Sequence, residues 1–458
     1  MFAGLAMRKA LITSGLLLLL VGLAPQTAAA DEKELTLYSP PIQTLPYVHD
    51  THTVQLRANG VEAPAKPGYV TGIKEEVLVD SKDPNAKPLS NAQMMIHHLL
   101  YFAYGRAGDS QGSCWAGAGF IAGRGEEHPD GNFDFVPAEQ RAKYGIVNQL
   151  QNGDAPNWTL IAMVMNHVKK PKTVYVRTKL YYTEDYRTPV YPTVVGCRGN
   201  GMAYDIPGGG PKGSNLVDTS TWTVPYSGRI LMASSHQHGG GKRHTLASDT
   251  CNRGLFNAPV YYGTPDHIYN TIRPILHEPG PIATGTFGSR QGVPIHQGEV
   301  LRRRAVHDDH SLHVAAMGFW VLQIVRDDTV GECAPMPTDI TELRHPKRYD
   351  STPAYDRKVP QLDKPTGAFA PFTGGPIPVA DDYFRPAKVD AKVGDTLTWE
   401  FRGSKPHTVT VANGPRGFSS LYSGQYRGTE QFTFTVPGTY RLTCLVHPTT
   451  MGQTVRVR

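Results

Sequence analysis

The chain has 458 residues, 40% of them apolar, and a formal net charge of +6. That length is too great for one ordinary domain and predicts two or three. The charge is mild and scattered. Its one basic cluster, "LRRR" at 301–304, suits a solvated strand end, so no nucleic-acid partner is expected. Glycine (47) and proline (37) are abundant beside recurring Val, Thr and Tyr. This mix predicts short strands and many turns, an all-β chain.

The first thirty residues read as a leader. "MRKALITSGLLLLLVGLAPQTAAA" has a basic start at Arg8 and Lys9, an apolar stretch, and Ala28-Ala29-Ala30 before Asp31. This is the pattern of a secretory signal peptide, here residues 1–30, cut near Ala30. The net charge falls from +6 to +4 when Arg8 and Lys9 leave. No later stretch is apolar enough to cross a bilayer, so no stable membrane span is expected after cleavage. The expected location is periplasmic or extracellular, including the cell surface. Export permits disulfides. Of the five cysteines, Cys114, Cys197, Cys251 and Cys333 fall in the first three-quarters, and Cys444 stands alone near the C-terminus. Two bridges plus one thiol with other work are expected. Cys114–Cys197 with Cys251–Cys333 is preferred among the three possible pairings.

Four segments follow the leader. Residues 31–212 read as strands between Gly/Pro turns, with "TVYVRTKLYYT" (173–183) alternating like a half-buried strand. The spaced glycines of "GAGFIAGRG" (117–125) read as turns, because no β-α-β context supports nucleotide binding. "PGGGPKGS" (207–214) is a break. Residues 213–333 form a second strand-rich block. Residues 334–367 are polar and proline-spaced, an interdomain linker. Residues 368–458 form a small all-β module.

Histidines mark the ends of apolar runs in the two core blocks. "MMIHHLLYFAYG" carries His97 and His98 inside an apolar strand, where burial is costly unless both rings are satisfied. Adjacent residues face opposite sides, so both could serve one ion only at a bulge or strand end, or through different ring nitrogens. "WTLIAMVMNHVKK" ends another apolar run on His167. "LMASSHQHGGG" places His236 and His238 at i and i+2, on one side of a strand. The following glycines allow a close turn beside an ion. Met317 opens the last core strand in "VHDDHSLHVAAMGFW". His313 shares its strand parity and could approach the same ion, but ranks below Met317. His307, His310 and His244 suit supporting or exposed positions.

The C-terminal module carries "TCLVHPTTM", with Cys444, His447 and Met451 in Cys-x2-His-x3-Met order, and His407 upstream in "SKPHTVT". One thiolate, two imidazoles and a thioether make the donor set of a blue (type 1) copper site. The stretch resembles the plastocyanin-like cupredoxins over about 90 residues. In the common plastocyanin loop the methionine stands one residue further on.

The core pattern has a resemblance of its own. His-His, a lone His, His-x-His and then a Met is the order of the copper type II ascorbate-dependent monooxygenases, which include peptidylglycine α-hydroxylating and dopamine β-monooxygenases. The resemblance covers about 85–328. It implies two jelly-roll-type β-sandwich subdomains, one per type 2-like copper, facing across a solvent-filled gap and followed by a cupredoxin β-sandwich. It assigns His97, His98 and His167 to an electron-relay copper, and His236, His238 and Met317 to the copper that activates O2. The sequence departs from the peptide-hydroxylating members where a substrate-binding Arg is replaced by Ser234, and where their Asn and Tyr correspond to Phe319 and Val321. An apolar small-molecule substrate is expected in place of a peptide. The electron donor is expected to be an ascorbate-like reductant or a redox protein, with the blue-copper domain delivering electrons.

Two other classes compete. One is an exported copper-binding electron-transfer protein without oxygenase activity. The other is a nitrite-reductase-like multicopper enzyme. It ranks last, because only one Cys-x2-His-x3-Met set is present.

Overall fold

In the computed structural model nearly every regular element is a strand. The structure describes residues 32–44, 48–55, 63–107, 112–127, 133–134, 136–197, 202–206, 208, 210–272, 278–311, 313–350, 364–381, 383–404, 407–416, 427–444, 447 and 450–458. The expected leader, residues 1–30, and part of the expected linker, 351–363, lie outside the described residues. No described helix is long and apolar enough to cross a membrane.

Strand Lys172–Thr183 shows why these sequences choose strands. Its Val174, Val176, Leu180 and Tyr182 fall on alternate positions and enter one core cluster, the period-2 pattern of a sheet with one buried face. The strand belongs to a 12-stranded sheet that runs through the core. The central path is Lys33–Tyr38, Lys172–Thr183, Gly68–Val79, Tyr144–Asn148, Thr188–Val195, His313–Arg326, Gly228–Gln237, Thr286–Ile295 and Thr341–Glu342. A four-stranded sheet, Val48–Gln55, Thr159–Asn166, Met94–Phe102 and Phe120–Gly125, shares a core with one end of it through Ile96, Leu99, Tyr101, Leu160 and Val164. A five-stranded sheet, Asn215–Thr223, Val300–Asp308, Gly241–Ser248, Arg253–Tyr261 and Ala283–Thr284, packs at the other end around Trp222, Leu246, Phe256 and Trp320.

One sheet therefore crosses the expected boundary at 212/213. Thr188–Val195 pairs antiparallel with His313–Arg326 and parallel with Tyr144–Asn148. The two sandwiches are joined through a continuous hydrogen-bonded ladder. The bridges are Cys114–Cys197 and Cys251–Cys333, and Cys444 is the free, buried thiol.

The C-terminal module packs a five-stranded sheet, ending in Gly438–Thr443 and Thr410–Asn413, against a four-stranded one containing Thr396–Phe401. Trp399, Phe434 and Tyr440 fill its centre together with Cys444 and Met451. Thr410–Asn413 approaches the core strand His313–Arg326 to within 8 Å between Cα atoms.

Each bridge closes a long loop, with sequence separations of 83 and 82, and so restricts the unfolded chain most in the entropic account. Replacing Cys251 and Cys333 together by Ser should lower core stability by about 2–4 kcal/mol, read as a lower denaturant midpoint.

Candidate metal centres

The strand Met94–Phe102 bulges between Ile96 and His98, where its register against Thr159–Asn166 slips. That single extra residue turns both histidines to one side. Met163 Sδ lies 2.9 Å from His97 Nδ1 and 3.4 Å from His98 Nδ1. His167 stands further along the same strand pair. It is buried one residue beyond the end of its strand, with its N–H donated to the Gln93 carbonyl. That is three register steps from the bulge, about 10 Å along the strand. The Met163 thioether is thus a donor beside His97 and His98 that the expected His97/His98/His167 set did not include.

The other histidine pair arrives on Gly228–Gln237. His98 Nε2 is 3.3 Å from His236 Nε2 and 3.2 Å from His238 Nε2. No solvent-filled gap separates the two histidine sets, contrary to the expectation from the resemblance. The ladder that joins the sandwiches holds them in contact.

Two polar partners fix the tautomers on this side. A buried Glu127 oxygen sits 2.5 Å from His236 Nδ1. His238 Nδ1 donates to the Ala315 carbonyl at 2.8 Å. Both rings thus present Nε2 lone pairs toward His98. Ala315 reaches this position through positive φ, 53°, at an irregularity in the pairing with Ala203–Ile206, while its own N–H donates to Asp205 Oδ1 at 2.9 Å. A non-glycine residue in that conformation is strained and is held by its surroundings.

Met317 stands one residue before Gly318, the register partner of Gln237, and so flanks His238 along the sheet. Its side chain is buried with Phe102, Phe319 and Val321.

The glycines after His238 have a different task from the one expected. A Cβ on Gly240, at φ +78°, would come within 2.5 Å of the His313 ring, and one on Gly239 would strike Glu278. The space is filled by an ion pair between buried His313 and half-buried Glu278. His313 Nδ1 lies 2.8 and 2.9 Å from the Glu278 oxygens, and its Nε2 is 3.5 Å from Asp308. His313 is thus committed away from the cluster. His307 meets the Tyr204 hydroxyl at 2.8 Å, His310 donates to the Gly210 carbonyl, and His244 meets the Ser235 hydroxyl at 2.9 Å.

The fit to a metal can be tested on distances. Two nitrogens each about 2.0 Å from an ion at a tetrahedral angle stand about 3.3 Å apart. The His98–His236 and His98–His238 separations meet this. His97, His98 and His238 form a group whose donor atoms all lie within 4.8 Å of one another. Beside it runs a narrow cavity lined by His98, His236, Leu100, Phe120, Phe319 and Val321, with Ser234, Arg124 and Glu127 also on its wall. The three positions singled out for substrate choice, Ser234, Phe319 and Val321, all face it.

In the C-terminal module Cys444 Sγ is 3.8 Å from His407 Nδ1 and 3.6 Å from His447 Nδ1. Sulfur and nitrogen donors sharing one ion stand about 3.5–3.7 Å apart, a separation the His447 contact meets and the His407 contact slightly exceeds. His407 Nε2 faces Asp381 Oδ1 at 3.2 Å, and the Thr408 N–H points at the sulfur at 3.4 Å. Met451 is buried beside them, its carbonyl accepting from the Cys444 N–H and its N–H donating to the His447 carbonyl.

Amicyanin of Paracoccus denitrificans is 32% identical to this chain over 81 residues, covering 17% of the chain and 62% of the amicyanin sequence. This module is cupredoxin-like. Solved oxidized and reduced amicyanin variants match at 28% and 29% identity, each covering 18% of this chain and 80% of theirs with a TM-score of 0.17. No family model matches the chain.

A third group, Cys251, His296 and Cys333, is not a metal site, since its two sulfurs form a disulfide.

Three contributors escaped sequence reasoning. Met163 was hidden as one apolar residue among others in "LIAMVMN". Glu127 gave no sign of burial. Gly125 lies in a strand, not a turn, opposite His98, and a Cβ there would come within 2.7 Å of the His236 ring.

The ion pair beneath the glycines sets a pH response. Burial works against a charged His313, but Glu278 and Asp308 outweigh it and push its pKa up to about 9. The unfolded chain releases that proton near 6.5. Between these values the folded state binds more protons, so this contribution is full below pH 6.5 and is lost as pH rises through 9. His313→Gln should remove that alkaline loss, measured as the melting temperature of the full-length protein across pH 6.5–9.

Proposed function

We propose that the chain is an exported copper-dependent monooxygenase that hydroxylates a C–H bond of an apolar small molecule with O2, using electrons delivered by its fused cupredoxin domain. The observation carrying this reading is the convergence of His236 and His238 on His98 at the inner side of a cavity whose other walls are largely apolar. The overall conversion takes R–H, O2, two electrons and two protons to R–OH and water. Copper, when bound, supplies the one-electron chemistry with O2 that this conversion needs.

The protein's own residues do the rest. His97, His98 and Met163 would hold one copper, and His236 and His238 with Met317 beside them the other. Glu127 and the Ala315 carbonyl hold His236 and His238 with Nε2 forward, so the rings lose little freedom on binding. Leu100, Phe120, Phe319 and Val321 exclude water and favour an apolar substrate. Ser234 offers a hydroxyl and no charge; the cation on the cavity wall is Arg124, whose Nη1 donates to the Glu76 carbonyl.

His407, Cys444, His447 and Met451 would hold a type 1 copper. The polarizable thiolate, held by the Thr408 N–H, suits a one-electron carrier. Fusion raises the local concentration of that carrier, and Thr410–Asn413, three residues past His407, already lies beside the strand bearing Met317. Two disulfides and the leader-like start support an oxidising compartment outside the cytoplasm.

The test is the origin of the product oxygen. Copper-loaded full-length protein, given a reductant, isotopically labelled O2 and a panel of apolar substrates, should place label in the product hydroxyl. His236→Ala should abolish product while leaving the blue absorption of the cupredoxin site. Reduction and reoxidation with no labelled product would favour the electron-transfer protein without oxygenase activity. Separately, Glu127→Gln should weaken copper binding at the core about 10- to 100-fold, read by competition titration against a chelator.

A further inference from the structure

We propose that Asp381 is a positioning residue of the C-terminal copper site: its carboxylate, held against His407 Nε2, stabilises the oxidised metal and makes the module a stronger electron donor. The inference rests on the type 1 copper reading above and deepens it. It starts from the two edges of the His407 ring. Nδ1 faces Cys444 Sγ at 3.8 Å, on the side of the other donors. Nε2 faces Asp381 Oδ1 at 3.2 Å. With Nδ1 given to a metal, the ring proton resides on Nε2 and donates to that carboxylate.

The chain builds this contact from two strand ends. Ile377–Ala380 and Thr396–Phe401 pair in parallel, with Val379 opposite Phe401. The Arg402 N–H continues the ladder to the Val379 carbonyl at 2.8 Å. Asp381 thus leaves one strand beside Gly403 and Ser404, which leave the other. Ser404 holds both carboxylate oxygens: its N–H donates to Oδ1 at 2.9 Å and its hydroxyl to Oδ2. Gly403 supplies an independent observation. A Cβ there would lie 2.4 Å from Asp381 Oδ1 and 2.8 Å from His407 Nε2. Carboxylate and ring therefore meet over a residue whose missing side chain leaves them room.

His407 is fully buried and Asp381 half-buried, so the ring carries the influence of a negative charge from the rim of the module to its apolar centre. A carboxylate at the far edge of a ligand imidazole makes that imidazole a better donor, and its field favours the higher charge on the metal. Each passage takes one electron in from the reductant and hands the same electron on to the core. The proton stays on His407 Nε2, and no bond forms or breaks. The oxidised state gains more from Asp381 than the reduced state does, so the reduction potential falls. Solvent screens part of the charge, and the effect on the reduction equilibrium is about tenfold, ~59 mV for one electron.

The test is a redox titration of copper-loaded full-length protein, followed at the blue absorption. Asp381→Asn keeps the size of the side chain and an acceptor oxygen but removes the charge. It should raise the constant for reduction about tenfold, with the blue band retained as the sign of a formed site. Gly403→Ala leaves the charge in the chain but pushes the carboxylate off the ring. It should move the potential in the same direction, and it decides the question where Asp381→Asn loses the blue band. An unmoved or lowered potential in a variant that stays blue would overturn the role of Asp381 and leave the copper reading standing. Loss of the blue band in both variants would make the contact structural only and would also overturn it. A parent protein that takes up copper without blue absorption would overturn the copper reading and this inference together.

Discussion

Four imidazoles and a thioether meet at the seam of two sandwiches, and burying so much polar surface is tolerable only when each group finds a partner. His97, His98, His236 and His238 are all under one-tenth exposed. The fold meets that constraint by unusual local means: a bulge beside His97, a left-handed alanine at 315, and a buried carboxylate at Glu127. Each carries a cost that a plain strand would avoid. Such departures cluster where structure is held for function. The continuous ladder through Thr188–Val195 and His313–Arg326 is what makes them sufficient, since it fixes the two sandwiches closely enough for rings 138 and 140 positions apart to come within 3.3 Å.

Much of this was legible in the sequence. Composition and alternating apolar positions gave the all-β class, and the two bridges are the pairing preferred among three that the sequence left open. The Cys-x2-His-x3-Met set marked the C-terminal site, because its ligands lie mostly in one loop and local spacing carries the information. The core was harder. His-x-His can be read locally from strand parity, but the partner of that pair comes from a separate sheet, and no spacing encodes the contact. Met163 was invisible because a thioether in an apolar strand resembles any core residue.

The glycines after His238 show how a correct local observation can receive the wrong cause. Their lack of side chains does create space, but His313 and Glu278 fill it. The ion pair then supports the turn that carries His238. Charge and packing cooperate here, because a histidine held protonated between Glu278 and Asp308 is stable in the interior only when both carboxylates stay close. Gly239 and Gly240 let the backbone approach far enough to keep them there.

The two metal-ready regions differ in what they ask of the chain. The cupredoxin-like donors are gathered within a single small sandwich, with Cys444 and Met451 in its apolar centre, so their geometry is protected by the module's own packing. The core donors belong to two sandwiches and depend on the seam between them. Small changes at the seam would alter the distance from His98 to His236 and His238 together, while leaving the His98–Met163 contact within its own sheet.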